Sequence, residues 1–310
     1  MSNFKRVFDN PSGIVELINS NSFLRRICGE QVYKGKGFFA FRNGIASMYI
    51  KGVPLVYFDD SNLNDFRVVS RLLPVARSFV KAEKKTLPPV ITEKSWQDRL
   101  NVDIGFSNVL CEILENIGLD SRPECAQVSS LYKYSPFSNV NERWFLIDIE
   151  AAFNEPKNEI IEAEIDDNLE ENKKDNRVDV VFYDDNTSDL FFIEVKRSSD
   201  ERLFNGEINT QMEGYKQLIK REGDAIKKAY SSVLSYYKSM GCTGIKNTNI
   251  NNIYLALAIT EYSQEEKTKY VTSTVKRLRS DFPVVSIGSF SNVKPETLKK
   301  WDKIIRNNSI

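Results

Sequence analysis

Apolar positions along this chain follow two different periods. Phe38-Phe39-Ala40-Phe41, Ile45-Ala46-Ser47-Met48-Tyr49-Ile50 and Val53-Pro54-Leu55-Val56-Tyr57-Phe58 are short runs separated by Asn43-Gly44 and Lys51-Gly52. Glycine-containing pairs between β-branched and aromatic runs predict a three-strand antiparallel meander. Before it, Ile14, Leu17 and Ile18, then Phe23, Leu24 and Ile27, recur at helical spacing. After it, Asn62 or Asn64 is expected to cap a helix through Val80 that carries Val68, Leu72 and Val75 and is interrupted by Pro74. Leu87-Pro88-Pro89 reads as a hinge. A further helix is expected from Lys94 to Ile117, closed by Gly118. Residues 119–137 hold Pro123, Pro136 and several serines, which places a domain boundary there. The expected division is an α+β domain over 1–130 and a second domain over 131–310.

The second half opens with an expected helix from Ser138 to Phe153. Glu142, Phe145, Leu146, Ile149 and Phe153 share one face of it, so Glu142 lies on the apolar, inward side. A capping box, with Asn139 at the cap and Glu142 three residues later, explains Glu142 equally well. Ile160-Ile161-Glu162-Ala163-Glu164-Ile165 alternates as a half-buried strand. Strands then follow over Arg177–Tyr183 and Leu190–Lys196, joined by the polar turn Asp184–Asp189. Helices are expected over 207–221 and 224–240. Ile253-Tyr254-Leu255-Ala256-Leu257-Ala258-Ile259 is uniformly apolar, as in a strand covered on both faces. A charged helix over 263–280, a strand over 284–287 and a helix opening at Pro295 complete the pattern.

The charges inside the hairpin are unusual. Asp179 interrupts the first strand, and Glu194 and Lys196 interrupt the second. Side chains alternate across a strand, so Glu194 and Lys196 share a face. A hairpin brings Asp179 beside Glu194, and two adjacent carboxylates repel unless a cation lies between them. A hard divalent ion together with the Lys196 ammonium meets that need. A solvated edge hairpin with a salt bridge is the plainer explanation.

The chain has 310 residues, 41% hydrophobic and 28% charged, which is enough to bury a large core. It contains no histidine, which excludes imidazole-based catalysis and His-ligated metals. Cys28, Cys111, Cys125 and Cys242 form no Cys-x-x-Cys pair, so they read as free thiols of a reducing compartment rather than zinc ligands. No stretch reads as membrane-spanning and the N-terminus lacks a signal-peptide pattern, so a cytoplasmic location is expected. Residues 1–100 carry 16 Lys and Arg against 9 Asp and Glu, and the remainder 27 against 34. The basic front half suits a polyanionic partner.

An aspartate followed by a strand ending Glu-x-Lys resembles the PD-(D/E)xK nucleases. Gln211 and Tyr215, at i and i+4 on the helix after Glu194-Val195-Lys196, resemble the Gln-x-x-x-Tyr of the RecB-like members. Arg177 precedes Asp179 without the glycine common in that motif. The resemblance covers about 138–260 and not the first 130 residues. It implies an αβββαβ restriction-endonuclease-like core with an appended helix and strand, placed after the α+β N-terminal domain. It implies a phosphodiester hydrolase dependent on Mg²⁺ or Mn²⁺, acting on DNA in restriction, defence or repair, and it leaves room for a homodimer. Asp179, Glu194, the Val195 carbonyl and Glu142 are then the metal ligands, and Glu142, Asp179, Glu194 and Lys196 the catalytic set. Arg177, Gln211 and Tyr215 bind the substrate backbone or support the site. A nucleic-acid-binding module that does not cleave is the alternative.

Overall fold

The computed structural model describes residues 6–21, 24–50, 52–68, 127–138, 143–152 and 177–307. A first helix, α1 (Pro11–Ser20), starts with the Asn10 side chain accepting the Gly13 amide. The meander then forms as expected, with β1 (Gly37–Arg42), β2 (Ile45–Ile50) and β3 (Val53–Asp59) antiparallel. Its turns place Gly44 and Gly52 at φ 81° and 82°, where a residue with a Cβ is strained.

A fourth strand, β4 (Asn62–Val68), takes the place of the start of the helix expected from Asn62. The reason lies in the turn before it. Asp59 accepts the Ser61 amide at 2.9 Å and the Ser61 hydroxyl at 2.7 Å, which reverses the chain instead of capping a helix. Asp, Ser and Asn serve both purposes, so composition alone does not separate them. Residues 69–80, the hinge at 87–89, the helix over 94–117 and the strand over 160–165 lie outside the described residues.

The second sheet has the order β5-β6-β7-β8-β9. The strands are β5 (Trp144–Ala152), β6 (Arg177–Asp184), β7 (Asp189–Arg197), β8 (Ile253–Thr260) and β9 (Val284–Ser286). β5, β6 and β7 form an antiparallel meander, and β8 and β9 then add in parallel. β5 corrects the expected helix over 138–153. Phe145, Ile147 and Ala151 enter one core and Trp144, Leu146 and Ile149 the other. With both faces buried, the period of two vanishes from the sequence, and a short apolar run fits either period.

Between β7 and β8 lie a four-residue helix, α2 (Arg202–Asn205), and α3 (Glu207–Ser239). α3 replaces the two helices expected over 207–221 and 224–240. Its 33 residues make a rod of about 50 Å. Gly223 sits inside it without breaking it. The helical stretch 264–278 (α4) contains a π turn over Lys267–Val271. α5 (Pro295–Asn307) closes the described chain.

α3 and α4 cover one face of the second sheet, and α5 with the turn Tyr132–Tyr134 covers the other. α3 crosses its face obliquely. Near its start, Asn209 donates to Asp281 ahead of β9 at 2.6 Å. Further along, Tyr230 donates to Asp148 on β5 at 2.8 Å, and Tyr237 donates to the Phe39 carbonyl on β1. Arg42 on β1 donates to the Ile149 and Glu150 carbonyls of β5 at 2.8 and 3.1 Å, so the two sheets are also joined directly. Asp148 is buried and takes the Arg6 guanidinium at 3.1 Å as well.

The hairpin turn between β6 and β7 is fixed from α5. Arg306 donates to Asp189 at 2.6 Å and to Thr187 at 2.8 Å, and lies 4.8 Å from the Tyr254 ring centre. Arg143 makes a forked pair with Asp184 at 2.9 and 2.7 Å. Among the described residues, no helix is long and apolar enough to cross a membrane.

Candidate active site

β6 and β7 pair from Asp184↔Asp189 as far as Val180↔Ile193. One step further the ladder ends, and the Asp179 carboxylate accepts the Val195 amide at 2.6 Å. The N–H and C=O of a strand residue point to the same side. The Val195 carbonyl therefore also faces the opening between the strands. On its other edge β7 is paired with β8 through Glu194↔Leu257 and Lys196↔Ile259. The strand carrying Glu-x-Lys is thus held rigidly on one side and opens on the other.

Glu194 and Lys196 point to the face covered by α3, as strand alternation predicts. Both are buried, at 1% and 3% exposure. The Lys196 ammonium pairs with Glu194 and lies 3.3 Å from the Val195 carbonyl. Gln211 donates to Glu194 Oε1 at 2.8 Å and to the Tyr215 hydroxyl at 2.8 Å. Tyr215, fully buried, shares its phenolic proton between the Arg177 carbonyl and Glu194 Oε2, the latter at 3.2 Å. Helical spacing explains why Gln211 and Tyr215 reach the same carboxylate, since residues four apart stack on one face.

Burial dominates the electrostatics. It pushes the Glu194 carboxyl up, against the opposing pull of Lys196 and Tyr215. It also works against the Lys196 ammonium, but Glu194 and Asp179 outweigh it and hold that pKa above its usual value. Burial, then the Glu194 charge, raises the Tyr215 phenol, so it acts as a hydrogen-bond donor and not as a base. Arg202, at the exit from β7, makes a bidentate pair with Asp200 at 2.9 and 2.6 Å, and its charge is felt at both Glu194 and Lys196. The sequence holds no motif for Arg202, because its position depends on the turn that follows β7.

The expected site residues thus separate into three groups. Asp179, Glu194, Val195 and Lys196 come together at the strand opening. Gln211 and Tyr215 brace Glu194 from α3, and Arg177 contributes its carbonyl to the same brace. Glu142 lies outside the described residues; the helix expected to carry it gives way to β5 from Trp144 onward. A cleft of about 470 Å³ between α3 and the start of β8, lined by Met212, Lys216, Ile219, Leu255 and Phe282, contains none of these groups.

The chemistry of the donors suits a hard divalent cation. Two carboxylates and one backbone carbonyl are all oxygen donors, and Mg²⁺ commonly takes one or two carboxylates and keeps its remaining waters. Among the described residues no cluster of three acidic or cysteine side chains is positioned to cage an ion. Asp179, Glu194 and the Val195 carbonyl are the groups that could hold such an ion, with the Glu194 oxygens also engaged by Lys196, Gln211 and Tyr215. No protein-family model matches this chain, and no curated protein or solved structure does either.

Proposed function

We propose that this chain is a metal-dependent nuclease of the PD-(D/E)xK type that hydrolyses phosphodiester bonds in DNA. The observation that carries the reading is the opening between β6 and β7. There the Asp179 carboxylate meets the Val195 amide at 2.6 Å beside the buried Glu194–Lys196 pair. The order of elements from β5 supports it: an antiparallel three-strand meander, a helix, then a parallel strand, as in an αβββαβ core.

Asp179, Glu194 and the Val195 carbonyl would hold the cation. When bound, Mg²⁺ or Mn²⁺ supplies Lewis-acid neutralisation of the phosphoryl charge and a more acidic water. Asp179 is held in place by the Val195 amide, so the carboxylate is oriented before substrate arrives. Gln211 and Tyr215 fix Glu194 and act as positioning residues. Lys196 brings a compact positive charge to the same oxygens, where it stabilises negative charge developing on the phosphoryl group. Arg202 adds positive potential at the rim.

A cleavage panel tests this reading: linear, circular and single-stranded DNA and RNA, each with Mg²⁺ and with chelator. Cleavage that needs the metal and disappears in Asp179→Ala and Glu194→Ala is expected. Metal-independent cleavage, or none on any substrate, overturns it. The second reading is a nucleic-acid-binding module that does not cleave. It is favoured by the depth of Glu194, whose oxygens are engaged by Lys196, Gln211 and Tyr215. Nucleic-acid binding without specific uptake of Mg²⁺ or Mn²⁺ would select it.

A further inference from the structure

Two large apolar side chains among the described residues are exposed, Val7 and Phe204. Phe204 is 52% exposed and belongs to α2, immediately after the strand that carries Glu194 and Lys196. Its position is fixed by the backbone. The Asp200 amide donates to the Arg197 carbonyl at 3.0 Å, the Leu203 amide to Asp200 at 3.1 Å and the Phe204 amide to Glu201 at 2.9 Å. Leu203 is buried, and Arg277 of α4 donates to its carbonyl. With Leu203 anchored inward, Phe204 is turned outward.

One edge of Phe204 is supported. Its ring meets Tyr270 of α4 in a T-shaped contact, with centres 6.5 Å apart and planes at 64°. The Tyr270 hydroxyl reaches Ser198 and Glu266. Ser198 stands two residues beyond Lys196 on the continuation of β7, about 7 Å along the strand direction. Phe204, Tyr270 and the candidate site are therefore neighbours around the end of one strand. The two arginines there are ion-paired, Arg197 with Glu261 and Arg202 with Asp200, and their side chains are 43% and 42% exposed.

We infer that Phe204 is a stacking platform for an unpaired base of the nucleic-acid substrate, a few nucleotides from the scissile phosphate. The inference rests on the nuclease reading and adds a substrate class to it: single strands, or duplex ends that open. A base presents a flat π face that an exposed, rigidly held aromatic ring matches without reading sequence. A base paired inside a duplex has both faces occupied by its neighbours, so the platform serves only bases free of the stack.

The test uses the full chain and single-stranded oligonucleotides carrying 2-aminopurine at successive positions, with Ca²⁺ replacing Mg²⁺ to read binding apart from turnover. The wild type should quench 2-aminopurine at one register. Phe204→Ala should lose that quenching and bind roughly fivefold to a hundredfold more weakly, whereas Phe204→Trp should keep both. An abasic nucleotide at the quenched register should weaken wild-type binding and leave Phe204→Ala unaffected. Thermal melting of each variant should match the wild type, because the side chain is exposed. If the wild type cleaves with Mg²⁺ but Phe204→Ala quenches and binds like it, the platform is overturned and the nuclease reading stands. A wild type that neither cleaves nor binds any oligonucleotide overturns both.

Discussion

The Asp179 carboxylate accepts the Val195 amide at 2.6 Å, one step beyond the last paired residues of β6 and β7. A side chain thus replaces the backbone carbonyl that would have continued the ladder, and the strands part around Asp179, Glu194 and the Val195 carbonyl. In Asp179→Asn the amide oxygen still accepts the Val195 N–H. Stability should therefore stay within about 1 kcal/mol of the wild type. The formal charge is gone, so divalent affinity should fall and metal-dependent cleavage should drop by several orders of magnitude. Calorimetric titration with Mn²⁺ and a single-turnover cleavage assay separate the two effects. Wild-type turnover in this variant would remove Asp179 from the metal site.

Tyr215 is the second residue whose role can be isolated. Its hydroxyl links the Arg177 carbonyl on β6 to Glu194 on β7 from the buried side of α3. Tyr215→Phe keeps the ring packing and leaves those acceptors with fewer donors, at a cost of about 1–3 kcal/mol. If Tyr215 positions a metal-binding carboxylate, metal affinity or activity should fall about 10–100-fold. The diagnostic result is partial rescue of cleavage by raised Mg²⁺, which a purely structural loss would not give. Denaturant melts alongside the metal titration provide the comparison.

The hairpin, its charges and the Gln211–Tyr215 pair were legible in the sequence because each depends on local spacing. The meander was legible through Asn43-Gly44 and Lys51-Gly52, where only the turn had to be identified. β5 was not, because Trp144, Phe145, Leu146 and Ile147 are buried on both sides and no polar alternation marks them. β4 is not legible because Asp59 and Ser61 close a turn with the same groups that cap helices. The sequence divides α3 in two at Glu222-Gly223-Asp224, although the space beside Gly223 is open and the helix simply continues. Glycine lowers helix propensity by about 1 kcal/mol, which burial of Ile226, Tyr230 and Val233 readily overrides. The brace on Glu194 was half visible. Spacing put Gln211 and Tyr215 on one face, but only the oblique path of α3 reveals that they meet this carboxylate. The Asp148–Arg6–Tyr230 cluster joins residues from distant parts of the chain, so no local pattern announces it.

That cluster predicts a stability effect without a catalytic one. Asp148 is 1% exposed and depends on Arg6 at 3.1 Å, Tyr230 at 2.8 Å and its neighbouring amide. Arg6→Met leaves a buried carboxylate without its cation and should cost about 3–5 kcal/mol. Adding Asp148→Leu should restore much of the loss, because an apolar pair of similar size removes the uncompensated charge. Chemical denaturation of both single variants and the double variant measures the coupling. A double variant as unstable as the sum of the singles would show that the two residues do not act as a pair.

Lys196 is where electrostatics and chemistry separate. Its ammonium lies against Glu194 and within 3.3 Å of the Val195 carbonyl, inside the same oxygen cluster that the proposed mechanism gives to a cation. Two roles are open to it. As a structural partner it neutralises Glu194 and contributes to folding. As a catalytic group it stabilises charge on the phosphoryl oxygens, and that contribution is made in the transition state and not in the bound substrate. Lys196→Ala distinguishes them. A catalytic Lys196 lowers the single-turnover rate constant far more than it lowers nucleic-acid affinity, by about a hundredfold or more if it is worth the 2.7–4 kcal/mol of a lost oxyanion-type donor. Divalent affinity should hold or rise, because a competing positive charge beside Glu194 and Asp179 has been removed. Lys196→Arg should not rescue the rate, since the planar guanidinium is longer and forked where the site holds a compact ammonium among buried neighbours. A purely structural Lys196 gives the opposite pattern: the protein loses stability, while the rate constant of the folded fraction at saturating enzyme and Mg²⁺ is unchanged. That last result would exclude Lys196 from the catalytic set.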